Sequence, residues 1–573
     1  MSVFLDFWRD FDYNDKKRRR KVVTVLDNQN NQQNHPTNPN PNRPANFKPR
    51  RRRISPWRRI ARSIMRVIAN FLLQLRALVQ PSDSASPRST RPTNPQATGS
   101  DNITTTRSAH SRRKKRSMMQ IFVESYLPVL VAILAIVLVV VIIASSISNG
   151  VKKKKAAQEE SIANSIAAQE EKARLDLEAQ TILAQAEVLM QTYDYEAAIT
   201  LLNGFSGDLS VYSNVNDKII ACEAALKDMV AWTDPSQIVN LSFQLLIADP
   251  SRSFSNEMYG YSFNRNFITT GEFSSILQQL YSNGYVLVRL SDFIEEQTDA
   301  NGNITYKAKP LYLPKDKKPL VLTQTNVNYS YYLIDSDGDR LADAGGSGFA
   351  SKLLWDGTTF TNQMVDANGR TVTGAYDMVP ILESFVAQHP DFSYKGAKAT
   401  LALTGYNGLF GYRTHPRAAQ YFGEDAYRKD IEDVKVLIAA LREQGYTMAF
   451  YTYDNVSYGE YSTDLIQVDL QDWANEAVPI IGNLDILVYA QQADITTDQF
   501  YSGAKYELLR NAGFRYFLGF CNDGAPWATI TNEYVRQGRL MVTGSNLAYH
   551  ADWFASLFDA ASVLDPSRGV VPG

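Results

Sequence analysis

Apolar and polar positions follow four different patterns along the chain. The first is a helical one near the amino terminus. Trp57, Ile60, Ile64, Val67, Ile68, Phe71, Leu75 and Leu78 recur at helical spacing, interleaved with Arg58, Arg59, Arg62, Arg66 and Arg76. This predicts a basic amphipathic helix over about 54–79 that lies on an anionic membrane surface; a partner-binding helix is the other reading. The rest of 1–118 is rich in Asn, Gln, Pro, Ser, Thr and Arg, has little to bury, and is expected to be disordered. The second pattern is an apolar run, Leu127–Ala144, broken only by Pro128. About 20 apolar residues span a hydrocarbon core at ~1.5 Å rise each, so a transmembrane helix is expected over 121–148. With more than 100 residues ahead of it, the run does not read as a signal peptide.

The third pattern, over 152–232, is Ala-, Glu- and Gln-rich and contains no Pro. Ile182, Ala186 and Leu189, with Leu183 and Met190, mark one apolar face. Ala186–Leu202 resembles a tetratricopeptide-type helical hairpin, with a further helix expected at Lys218–Val230. One hairpin cannot form a solenoid, so the segment reads as a helical stem, bounded by Pro235. The fourth pattern begins near 236. Short apolar runs alternate with amphipathic helices. The predicted strands are Val286–Leu290, Leu320–Thr325, Thr400–Thr404, Met448–Tyr453, Ile486–Tyr489, Phe514–Phe520 and Leu540–Thr543. The helices include Asp430–Glu443 and Gln499–Asn511. Such alternation predicts an α/β fold with a parallel sheet, and seven units suggest a barrel with function at the carboxyl ends of its strands.

Charge changes the picture. Residues 1–118 hold 26 Lys and Arg against 7 Asp, a charge of +19; residues 152–573 carry −19. This asymmetry predicts a cytoplasmic amino terminus, a single bilayer span and an extracytoplasmic carboxyl-terminal domain. A nucleic-acid partner is not expected, because no recognition module accompanies the basic arm. Only Cys222 and Cys521 are present, so there is no disulfide framework, and a bacterial cell membrane is the expected location.

Several segments resemble one enzyme family. Pro319-Leu320-Val321-Leu322-Thr323-Gln324-Thr325-Asn326 is similar to the first strand and loop of a polysaccharide deacetylase (NodB-homology) domain, where the family carries Thr-Phe-Asp-Asp. Thr269–Phe273 with Gly284–Val288, Tyr376–Leu382, His389–Ala399 and Leu403–Thr414 extend the likeness across about 236–568, with 335–395 as an insertion. The resemblance implies a distorted (β/α) barrel of the kind found in Gram-positive deacetylases, bound to a divalent metal such as zinc.

The letters that carry the family's chemistry are replaced. The resemblance puts the catalytic base at Thr325 and the metal-binding Asp at Asn326, with the two metal-binding His positions at Tyr451 and Asn455. Metal-assisted amide hydrolysis needs a polarising cation and a carboxylate base, and zinc takes imidazole, carboxylate or thiolate ligands. No metal or other cofactor is therefore expected, and the sequence predicts the fold of a hydrolase without its active centre. His550 and Asp552 are the weak candidates for a surviving catalytic pair; His389 and His415, each before a Pro, read as structural. Tyr329, Tyr406, Tyr451 and Tyr453 are candidates to stack on cell-wall glycan. Asp335, Asp337 and Asp339, with Asp343, space like a calcium loop, but Arg340 and Gly346 stand where such a loop has Gly and Glu. Two alternatives stay open: an active metal-dependent deacetylase with non-standard ligands, and a structural partner in a cell-wall or division complex.

Overall fold

The computed structural model describes residues 152–573. The arm over 1–118, its amphipathic helix at 54–79 and the span at 121–148 lie outside the described residues. Among those described, no helix is long and apolar enough to cross a membrane.

The stem is three helices, α1 (Lys152–Gln191), α2 (Tyr195–Asn203) and α3 (Ser213–Lys227). Asp194 caps α2 by accepting from the Ala197 amide. The buried Ala179, Ala186 and Ala198 carry too little bulk to hold the helices apart, and Leu202, Val215, Ile219 and Cys222 fill the seam. The helix expected to reach Val230 stops at Lys227. Met229–Trp232 is instead a strand, paired antiparallel with Leu311–Pro314 at the base of the next domain.

The hairpin turn of the stem also docks there. Tyr193 packs among the residues that plug the bottom of the barrel, and its hydroxyl donates to the Asp391 carbonyl at 2.8 Å. Lys395 clamps the same turn. Its amide donates to the Thr192 carbonyl (2.8 Å) and its ammonium lies 3.2 Å from Asp194.

The large domain is a closed parallel barrel of seven strands: β1 (Val239–Phe243), β2 (Lys318–Thr325), β3 (Thr400–Leu403), β4 (Thr447–Phe450), β5 (Ile486–Val488), β6 (Tyr516–Phe520) and β7 (Val535–Met541). Neighbours follow chain order, and β7 closes onto β1 through Leu540 opposite Leu241. The expected strand at 286–290 is shorter, Tyr285–Leu287, and stands off the ring. It pairs with the lower half of β2, whose upper half pairs with β3.

Period-two alternation sorts each strand into two faces. Val321, Ala402, Ala449, Val488 and Leu518 join the inner cluster, while Leu241, Leu322, Leu401, Phe450 and Phe517 join the cluster under the surrounding helices. Those helices include α4 (Thr270–Ser282), α5 (Met378–Gln388), α6 (Glu424–Glu443), α7 (Thr463–Glu476) and α8 (Gly503–Asn511). α4 begins with a reciprocal capping box between Thr269 and Glu272. The insertion contributes α5 and a three-stranded antiparallel sheet, Lys352–Trp355, Phe360–Val365 and Thr371–Gly374.

Candidate functional site at the barrel mouth

The carboxyl ends of the strands bring together most positions singled out by the motif alignment. Thr325 ends β2, is fully buried, and donates to the Phe243 carbonyl at 3.2 Å. Asn326 follows in the left-handed region (φ 59°), which Asn tolerates better than most residues. Its side-chain oxygen accepts from the Thr404 hydroxyl at 3.4 Å, and Asn328 donates to that hydroxyl at 2.7 Å. The two loops after β2 and β3 are thus tied by neutral groups.

Tyr451 follows β4, and its amide donates to Leu403 at 2.8 Å. The ring is buried, with its phenol near Thr325 and the Gln491 backbone. Burial raises the phenol above its ordinary value, so it is neutral at physiological pH. Asn455, with φ 53°, is half-buried, and Gln491 donates to its carbonyl at 3.2 Å. The loop carrying Tyr451 and Asn455 is shaped from behind by Asp469 of α7, a position the motif alignment missed. Its buried carboxylate accepts from the amides of Tyr453 (2.7 Å) and Asp454 (2.9 Å) and from the Tyr458 hydroxyl (2.7 Å). Burial and the nearby charge of Asp454 push its carboxyl up to about 7.

The second residue missed by the motif alignment is Arg539. It points into the barrel from β7 with no exposed surface. Its guanidinium donates to Ser242 Oγ (2.8 Å), to the Tyr489 carbonyl (2.8 Å) and to the Leu518 carbonyl (3.4 Å), and sits 4.6 Å from the centre of the Phe520 ring. One side chain thereby joins β1, β5, β6 and β7. Below it, Asn240, Thr323 and Gln537 form a neutral polar layer, with Asn240 donating to Gln537 at 3.1 Å and accepting from Thr323 at 2.8 Å. Burial pushes the Arg539 guanidinium down to about 10, so it remains cationic, and its charge acts on Tyr451.

This donor set does not fit a catalytic divalent metal. Asn326, Tyr451 and Asn455 offer amide and phenol oxygens where imidazole and carboxylate are needed. The buried guanidinium repels a second cation in a medium where charge is poorly screened. No carboxylate stands at the base position, where the Thr325 hydroxyl donates to the Phe243 carbonyl.

The other candidates lie elsewhere. His550 caps the short helix Gly544–Tyr549 and stacks on Trp553 at 4.1 Å between ring centres. Trp553 lines a side cleft with Val239, Lys318 and Pro319, residues at the starts of β1 and β2. Through Trp553, His550 adjoins this side cleft, which Gly524 and Pro526 of the loop after β6 also line, and Asp552 is exposed.

Three of the four candidate stacking tyrosines are core residues. Tyr329 (1 % exposed) donates to Asp377 at 2.7 Å, Tyr453 (6 %) donates to Glu476, and Tyr451 is 8 % exposed. Tyr406 is half-buried, its hydroxyl 2.8 Å from Ser330 Oγ. Asp335, Asp337 and Asp343 bring carboxylate oxygens within 4.8 Å of one another, whereas Asp339 falls outside that group. Asp335 and Asp343 also accept from amides of their own loop, such as Gly338 and Arg340 (2.7 Å each) and Ser336 (2.8 Å).

No family model matches the chain, and no curated protein matches it. Among solved structures, the Streptococcus pyogenes deacetylase PplD in complex with acetate aligns with 59 % of this chain and 100 % of its own, at 12 % identity and a TM-score of 0.27.

Proposed function

We propose that this chain is a membrane-anchored, extracytoplasmic protein with a polysaccharide deacetylase-like barrel that binds cell-envelope glycan, or serves as a scaffold there, without hydrolysing it. The observation that carries this reading is Arg539. A fully buried cation, hydrogen-bonded by neutral groups, stands in the barrel mouth, and no carboxylate or imidazole occupies the positions aligned with the metal ligands and base. Those positions supply neither the polarising metal nor the carboxylate base that metal-assisted amide hydrolysis needs. The apolar run at 127–144 and the opposite charges on its two sides support the anchored arrangement. The stem's docking through Tyr193 supports a role that depends on holding the barrel at a fixed place above the bilayer.

The test is to incubate the full chain with an N-acetylated chitooligosaccharide and with peptidoglycan. The reading predicts retention on glycan with no acetate released above a heat-inactivated control. Acetate release that requires added Zn²⁺, Mn²⁺ or Co²⁺ contradicts it and supports a deacetylase with non-standard ligands.

A further inference from the structure

Beside the mouth, three arginines from the loops after β2 and β3, Arg340, Arg413 and Arg417, each lie near an aromatic ring or at a helix start, without a carboxylate of the described residues on the guanidinium. Arg413 is buried, and its guanidinium donates to the carbonyls of Asn407 (2.8 Å), Tyr329 (3.0 Å) and Asn328 (3.5 Å) while lying 4.2 Å from the centre of the Tyr331 ring. Arg340, in the left-handed region at φ 70°, lies 3.7 Å above the centre of the Tyr421 ring. Arg417 is exposed at the start of the short helix Ala418–Phe422. His415 stands between them, 7 % exposed, with Nε2 at 3.3 Å from the Tyr331 hydroxyl.

Among the described residues, no ion pair joins Arg340, Arg413 or Arg417 to a carboxylate. The nearby carboxylates are engaged elsewhere: Asp337, Asp339 and Asp343 of the Arg340 loop accept from the Asp339, Leu341 and Ser336 amides of that loop. Asp430 holds the Lys352 ammonium (3.0 Å) and the Arg413 amide (2.8 Å). Asp335 accepts from the amides of its own turn, and Glu476 accepts from Tyr453. His415 is packed against the same cluster. Burial, together with the three arginines, holds its imidazole down to about 4. Arginine against an aromatic ring keeps a planar fork of donors in place for an oxyanion.

We propose that this rim is an oxyanion-recognition site that takes a carboxylate or phosphate group carried by a glycan. Arg340 and Arg417 reach solvent and make the contacts; Arg413 and His415 lie behind them and supply field and shape. Tyr421, 46 % exposed, offers a ring beside the charged group for the sugar face. The inference holds whether or not the barrel hydrolyses anything.

The test uses the full chain with ¹³C-labelled histidine, the His415 signal being assigned by its loss in His415→Gln. Glycerol phosphate and glucuronate are titrated against a chloride background of equal ionic strength. The local signal separates this site from the arginine-rich segment at 1–118. The expected result is a saturable shift of the His415 resonance with at least one anion, weakened tenfold or more in Arg340→Ala/Arg417→Ala and only a few-fold in Arg340→Lys/Arg417→Lys. A response to glycerol phosphate alone identifies a phosphate-bearing glycan, and to glucuronate alone a uronate. No shift beyond chloride, or a shift unchanged in the alanine variant, overturns the proposal.

Discussion

The guanidinium of Arg539 donates a 2.8 Å hydrogen bond to the carbonyl oxygen of Tyr489, the residue that follows β5. With its bonds to Ser242 and Leu518, this contact makes one cation the tie across the barrel mouth. Replacing it should therefore act on stability. Arg539→Ala takes the cationic donor from the buried Ser242 hydroxyl and the Tyr489 carbonyl and leaves a cavity, at a cost of about 3 kcal/mol, while the Leu518 carbonyl keeps the Tyr489 amide. Arg539→Lys, a point charge without the fork, should lose less. Urea unfolding followed by tryptophan fluorescence checks both; an Ala variant as stable as the parent rules out the tie.

A second buried cation secures the carboxyl-terminal segment. Arg568 pairs with Glu272, the capping residue of α4, and both side chains are almost wholly excluded from solvent. Arg568 also donates to the carbonyls of Phe267 (2.7 Å) and Asn264 (2.8 Å). Arg568→Met leaves a buried carboxylate without its cation and should cost ~3–5 kcal/mol. Adding Glu272→Gln should recover part of that loss. A double-mutant cycle with additive effects would show that the pair is not coupled.

Asp377 gives the domain a pH signature. Its buried carboxylate accepts from Tyr329 (2.7 Å), Gln324 (2.7 Å) and the Leu246 amide (2.9 Å), with no cation among these partners. Burial pushes it from 3.8 up to about 6. A raised carboxyl favours the folded state below its unfolded value, and that contribution is lost as pH rises through about 6. The change is on the order of 3 kcal/mol. Asp377→Asn should abolish this component, so the difference in unfolding free energy between parent and variant should move by that amount between pH 4 and pH 7. A difference independent of pH contradicts the assignment.

How much of this was legible in the sequence depended on which face of a strand carried the signal. β2 to β6 were readable because apolar residues occupy both of their faces. β1 was missed, since Asn240 and Ser242 face the interior and break up its apolar run. Most of β7 was missed for the same reason. Val535-Arg536-Gln537-Gly538-Arg539 looks polar, yet Gln537 and Arg539 point inward to partners 299 and 297 positions away in sequence, Ile238 and Ser242. Gly538 leaves room for Trp527, which a Cβ there would strike at 2.3 Å.

The motif alignment placed Thr325, Asn326, Tyr451 and Asn455 on the loops of one mouth, because strand ends and their loops are local features. It gave no hint of Arg539 or Asp469, whose roles come from elements packed against the mouth. His550, a candidate by resemblance, has its ring stacked on Trp553 beside a side cleft, a contact that the sequence around it does not announce.

A buried guanidinium stands in the mouth, and the aligned positions there hold no set of carboxylate and imidazole ligands. The most direct measurement is the metal content of the full chain after incubation with Zn²⁺, Mn²⁺ or Co²⁺ and desalting, with Asp335→Asn as the control for the acidic loop. The expected result is no retained metal beyond what that control removes. About one equivalent per chain, unaffected by Asp335→Asn but lost in Asn326→Ala or Tyr451→Phe, would place a metal at the mouth and contradict it.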